Sequence, residues 1–292
     1  MDPIYILLGI MTAAILLARI NRRAPSPVWE LVIRWIRWAV FAFGCALLTG
    51  CIGLGSHPFW IRVTFFGTLW FLCVTFYNWI AIKALNESTL PLFPKYDPSA
   101  SGESWPTHPR FLKMREQIRA LGFAHMQSAT AKITSDVILR VSFFQNASAW
   151  VRLKITFMPR ASGTAGVCAS FSSRTASGRH FITDNVYMPF AGFFPENWFL
   201  ERHPWKRSLA RLLRHHEKRL AANNEHLEPQ LTNPVDDLNA HQNTLDRLNT
   251  ELGFLTPPRE RKEHGLVTGA GRYRVWKELW MLNYLGRPAR YE

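Results

Sequence analysis

The stretch RWIRWAVFAFGCALLTGC, Arg34–Cys51, has two readings, and the choice between them decides the architecture of the chain. Its last four residues, Leu48-Thr49-Gly50-Cys51, match the bacterial lipoprotein signal, in which the cysteine is lipidated after cleavage. Its uncharged body also suits a membrane helix. A lipoprotein signal sits at the extreme N-terminus and releases a polar chain. Here an apolar run and an arginine-rich loop come before it, and IGLGSHPFWIRVTFFGTLWF, residues 52–71, comes after. Small residues such as Thr-Gly-Cys are also common where membrane helices touch. Cys51 is therefore expected to be a cysteine inside a membrane helix. A lipidated periplasmic protein beginning near Arg34 is the alternative.

Working outward, three apolar segments are expected to cross a membrane, at about 4–20, 36–55 and 58–83. The first contains Ile4–Ala18 without a charge, about 22 Å of helix against a hydrocarbon core of about 30 Å, with Arg19 able to snorkel. GSHP, Gly55–Pro58, breaks the second from the third, which makes a hairpin. Six of the twelve tryptophans lie in this part, with Trp29, Trp35 and Trp38 at one edge and Trp79 with Tyr77 near the end of the third segment, as in an interfacial belt. The first connection holds Arg19, Arg22, Arg23, Arg34 and Arg37, while the hairpin turn offers only His57 and Arg62. The positive-inside rule puts the five-arginine connection in the cytoplasm, and everything after Lys83 with it.

Net charge is +14; seven of the 35 basic and two of the 21 acidic residues precede residue 84, which leaves the remainder at +9. That excess suits an anionic lipid surface. No continuous basic stripe with interleaved aromatics accompanies it, so nucleic acid is not the expected partner. Cys168 stands alone in the polar part, which excludes an internal disulfide there.

The domain plan follows from composition: a membrane domain over 1–83, a Pro/Ser-rich linker over 84–109, an α+β domain over 110–225 and a helical C-terminal extension over 226–292. RFLKMREQIRALGF has helical spacing and a glycine stop at Gly122. DVILRVSFF and WVRLKITF alternate with period two, placing Val137, Leu139, Val141 and Phe143 on one face, as are Val151, Leu153, Ile155 and Phe157. With further strands at 166–173 and 180–187, a soluble antiparallel meander of four to five strands is expected, with one apolar and one polar face, flanked by helices. HPWKRSLARLLRHHEKRLAANN closes it, with Trp205, Leu209, Leu212, Leu213, His216 and Leu220 inward. Extra C-terminal helices begin at the Asn233 cap and near Arg272.

Chemical motifs are sparse. In His215-His216-Glu217 neighbouring side chains diverge by about 100° on a helix, so one ion is not served by both imidazoles. His216 is expected in the core and His215 in solvent. Without HExxH or paired CxxC, no metal and no cofactor are expected. GLVTGAGR, Gly265–Arg272, lacks the preceding strand that a phosphate cradle requires and reads as a hinge. The final helix carries Tyr273, Trp276, Trp280 and Tyr284 on one stripe with Arg272, Arg274 and Lys277 nearby. That pattern fits either an interfacial membrane-binding face or a packed core face.

The expectation is thus a bacterial inner-membrane protein with a cytoplasmic α+β domain, acting by binding or scaffolding rather than catalysis. Its partners would be the lipid bilayer and either a protein or anionic lipid headgroups. A membrane-bound enzyme using scattered polar residues is the rival, with His180, His215 and Asp184 as its candidates.

Overall fold

Apolar length shapes the first part of the chain. In the computed structural model, which describes residues 3–23, 27–53, 57–88, 90–99, 105–134, 136–159 and 165–288, three helices come first. They are α1 (Pro3–Arg23), α2 (Pro27–Cys51) and α3 (Phe59–Glu87). Among the described residues, two helices are long and apolar enough to cross a membrane, Val28–Cys51 within α2 and Phe59–Glu87 in α3. The expected third span is not among them: within α1, Leu8–Asn21 is a shorter apolar helix. Gly55 and Ser56 of the expected hairpin turn lie outside the described residues.

Ring contacts set α2 against α3 in antiparallel fashion. The Trp38 indole N–H donates to the Gly67 carbonyl at 2.9 Å, Phe41 meets Phe66 and Trp70, and Phe43 meets Phe59 and Trp60. Gly50 admits the Arg62 guanidinium; a Cβ there would stand 2.7 Å from an Arg62 nitrogen. Cys51 is the last residue of α2 and is a free thiol.

Contacts divide the described residues into two units, one of residues up to 87 with 272–288, the other of 88–271. In the second, one eight-stranded sheet runs β1 (Asp97–Pro98), β2 (Phe123–Lys132), β3 (Ile138–Asn146), β4 (Arg152–Pro159), β5 (Ala165–Thr175), β6 (His180–Asp184) and β7 (Trp198–Arg202), with β8 (Leu227–Glu228) beside β5. Its helices are α4 (Pro109–Ala120), α5 (Leu209–Asn223), α6 (Pro234–Glu251) and α7 (Arg261–His264); α8 (Gly269–Trp280) begins at its end. Neighbours from β1 to β6 are antiparallel, and β7 joins β6 in parallel.

Eight strands replace the expected four to five. β2 was hidden because AHMQSATAK offers small and polar residues without apolar alternation, yet Ala129 and Ala131 are fully enclosed. The single apolar face is also corrected. Register pairs Phe143 with Lys154 and Phe144 with Leu153, so the two strands' expected apolar faces point to opposite sides. Leu153, Ile155, Phe157, Phe144 and Phe171 pack with Phe111 and Ile118 of α4 and Leu209 and Leu212 of α5. On the other side, Val141 and Phe143 pack with Ala129, Ala131, Tyr96 and with Val235 and Leu238 of α6. Both faces are covered, in three layers.

Local signals behave as their chemistry requires. Gly122 takes φ +82° after α4. The Asn233 side chain accepts from the Val235 and Asp236 amides and Pro234 starts α6. Part of the Pro/Ser-rich 84–109 stretch joins the fold: Tyr96 exchanges two 2.8 Å hydrogen bonds with the Asn239 side chain, and Trp105 is buried in the α4–α5 core.

Candidate functional site

Parallel addition of β7 brings Glu201 opposite Thr183 on the α5 side of the sheet. On α5, His215 and Arg219 are one turn apart and share the face toward Glu201. The His215 Nε2 lies 2.9 Å from Glu201 Oε1, and the Arg219 Nε lies 2.8 Å from Oε2. His203, just past β7, places its Nε2 at 3.0 Å from the same Oε1. The His203 and His215 rings meet edge-on with centroids 4.1 Å apart. Ligand-capable atoms of Glu201, His203 and His215 all fall within 4.8 Å of one another.

The guanidinium of Arg219 is itself fixed, donating to the Ile182 and Phe199 carbonyls at 2.8 and 2.9 Å and to the Thr183 hydroxyl at 2.6 Å. Burial opposes ionisation of Glu201, but the His215 hydrogen bond and the Arg219 charge outweigh it and hold the carboxyl below its ordinary range. Burial, with the Lys206 charge, lowers His203 to about 4. Glu201 is thus an anion bonded to His215 and Arg219, with the His203 imidazole beside it, at a half-buried position.

His216 turns the other way. Fully enclosed, it bridges Ser173 at 3.0 Å and Thr183 at 2.9 Å, and burial lowers it to about 3. This is the expected core histidine. His215, expected in solvent, is instead seated on Glu201, because β7 was not foreseen.

On the opposite face, register aligns Lys154, Ser170, Asp184 and Arg202 in one row across β4–β7. Arg202 Nε stands 3.2 Å from Asp184, both side chains nearly enclosed. Burial pushes the Asp184 carboxyl up while Arg202 pulls it down, and burial lowers Lys154. Nearby, Asp237 joins Arg152 at 2.6 Å and Arg174 at 3.3 Å. Asp237, in the first turn of α6, thereby ties that helix to β4 and β5. His180 packs on Trp198 and His241 and is lowered to about 3 by burial.

The rival enzymatic set is not assembled. His180 and Asp184 share one face of β6, whereas His215 lies across the sheet beside Glu201. Glu201, His203 and Arg219 were missed by sequence reading. Their local trace is the Glu-x-His of FLERHP, whose last two residues open the stretch read as the closing helix.

The aromatic stripe lies wholly in the first unit. Trp276 stacks near Trp79 at 6.4 Å, Trp280 lies 4.8 Å from Phe71, and Tyr284 meets Trp35 and Trp38 edge-on at 5.6 and 5.5 Å. The Trp35 N–H donates to the Tyr284 carbonyl at 2.9 Å, and Arg34 donates to Asn283. A π-helical turn, Met281–Leu285, ends α8 and carries Tyr284; Tyr273 stays 55% exposed. In the same unit α1, α2 and α3 enclose a groove of about 560 Å³ lined by apolar side chains with Arg19, Arg37 and Trp70.

GLVTGAGR is built of hydrogen-bonded, closely packed backbone. Val267 bridges to Leu255, the Thr268 hydroxyl accepts from Gly271, and a Cβ on Gly271 would meet the Phe254 carbonyl oxygen at 2.4 Å. The glycine permits close packing of ordered backbone.

Compared with known proteins, the chain matches no family model, no curated protein and no solved structure.

Proposed function

We propose that this protein is a multi-pass membrane-anchored binding or scaffold protein of a bacterial inner membrane, with its sheet domain in the cytoplasm. The observation that carries the reading is the make-up of the first unit: two long apolar helices joined by the returning segment 272–288. A domain inserted between α3 and α8 is tethered at both of its ends. In this reading α1 adds a third, short crossing, with Arg19 snorkelling to the cytoplasmic headgroups. The five arginines of the first connection favour that orientation. The stripe of Tyr273, Trp276, Trp280 and Tyr284 then enters the membrane domain from the cytoplasmic side, with Tyr273 toward headgroups and the other rings against α2 and α3.

The groove among α1–α3 favours an anionic phospholipid as one bound partner. Its walls suit an acyl chain, and Arg19 with Arg37 suits a phosphate. Two experiments address these points. Membranes washed in alkaline carbonate should retain the chain; release into the supernatant would end the anchored reading. Native mass spectrometry of the detergent-purified chain should show phosphatidylglycerol retained, and less of it for Arg19→Ala with Arg37→Ala. Equal retention by both would remove the lipid from the proposal and leave the anchor.

A further inference from the structure

We propose that Glu201, His203 and His215 form a binding site for a zinc-class divalent transition metal, oriented by Arg219. Two imidazoles and one carboxylate are the donor types that zinc accepts, and three protein ligands leave a fourth position for water or a bound group. The Nε2 atoms of His203 and His215 stand 3.0 and 2.9 Å from one carboxylate oxygen. Donor atoms around tetrahedral zinc, at about 2.0–2.1 Å from the metal, are separated by about 3.3 Å. Each imidazole nitrogen therefore need move from Oε1 by only a few tenths of an ångström, and all three donor atoms already lie within 4.8 Å of one another. That is a side-chain adjustment, not a rearrangement of β7 or α5.

Two observations in the structure point to a ligand here. First, the His203 Nε2 is buried and, although close to Glu201, makes no hydrogen bond of acceptable geometry. A buried nitrogen without a hydrogen bond is costly unless something else takes its lone pair. Second, the two oxygens of Glu201 are divided in their duties. Oε1 faces both imidazoles, while Oε2 is held at 2.8 Å by Arg219, whose other donors are committed to Ile182, Phe199 and Thr183. Outer partners that orient a ligating carboxylate are a regular feature of metal sites. The Arg219 charge moderates affinity for a dication, and oxygen-seeking magnesium finds only one carboxylate here. Zinc should bind; magnesium should not.

The experiment uses the full-length chain in detergent, stripped by chelator and titrated with zinc against a chromophoric competitor. One equivalent should bind, unaffected by millimolar magnesium. Glu201→Gln and His215→Ala should each lower affinity at least about tenfold. His226→Ala, at an exposed position away from the cluster, should leave it unchanged. Because a variant could fail to fold, the unaltered chain gives an independent readout. Carbethoxylation mapped by mass spectrometry should show His203 and His215 protected by one equivalent of zinc, with His226 still reactive. No stoichiometric zinc, or zinc binding that leaves His203 and His215 as reactive as before, would overturn the assignment. Wild-type affinity in folded Glu201→Gln and His215→Ala would do so too.

Discussion

The Trp280 ring lies 4.8 Å from the ring of Phe71, so the last helix of the chain rests on the middle of α3. Trp38, Trp276 and Tyr284 complete its surroundings, at 6.3, 6.4 and 4.4 Å. Between apolar helices association comes from packing, because lipid removes the hydrophobic difference. Aromatic pairs of this kind contribute about 0.5–1.5 kcal/mol each, so Trp280 stands at the centre of what holds 272–288 in place.

Trp280→Ala should therefore loosen the C-terminal segment by roughly 2 kcal/mol, two or three such pairs being lost. In detergent, trypsin should cut after Lys277 and Arg287 markedly faster than in the parent chain. Leu285→Ala, at a position 64% exposed, serves as control and should leave the rate unchanged. Equal cleavage of Trp280→Ala and the parent would mean that the stripe does not hold the segment.

Acid should destabilise the sheet domain well above the carboxylate range. Burial lowers His216 and His180 to about 3 in the fold, and His241 to about 4. The unfolded chain takes up those protons near pH 6.5 and the fold does not, so stability falls as pH drops below about 6.5. Each such histidine contributes a slope of about 1.4 kcal/mol per pH unit until its folded value is reached. Asp237, which burial raises but Thr232, Arg152 and Arg174 pull lower, adds its loss only below the ordinary carboxylate value. Hydrogen exchange of β5 and β6 amides, corrected for intrinsic rates, should show less protection at pH 5 than at pH 7.5. His216→Gln should start less stable and show a shallower dependence. Protection that is flat or rises toward pH 5 would contradict the buried neutral histidines.

Gly271→Ala should cost about 1–3 kcal/mol, the usual range for forcing an extra carbon into packed structure. The added carbon would meet the Phe254 carbonyl, which is already held at 3.1 Å by the Thr268 amide and cannot simply withdraw. A lowered melting temperature is the expected outcome. An unchanged one would mean that the backbone at Phe254 gives way without cost.

What the sequence disclosed was mostly local. The Asn233 cap, the Gly122 stop, the β3–β4 hairpin and the apolar helices are each written within a few residues. Side assignment was not: Phe143 and Leu153 look equivalent in their own strands, and only the register that pairs Phe143 with Lys154 sends them to different cores. β2 is a strand because β3 lies beside it and α6 covers it, not because FAHMQSATAK asks to be one. The Glu201 cluster needed β7 to cross back beside β6, a long-range pairing with no periodic signature. The aromatic stripe was visible as a stripe, but its partners Trp35, Trp38, Phe71 and Trp79 lie some two hundred residues earlier.

The most direct test of the anchored, cytoplasmic reading is the side of the membrane on which two cysteines react. His57, between α2 and α3, is exposed and lies outside both apolar helices, and Leu231 is 83% exposed in the sheet domain. Two chains are made, one carrying only His57→Cys and one only Leu231→Cys, with the native cysteines replaced. Intact cells are treated with a membrane-impermeant maleimide before and after permeabilisation. His57→Cys should label in intact cells at full-length mass, and Leu231→Cys only after permeabilisation. Labelling of Leu231→Cys in intact cells, or a parent chain that carries lipid on Cys51 and lacks residues 1–50, would place the domain outside and contradict the reading.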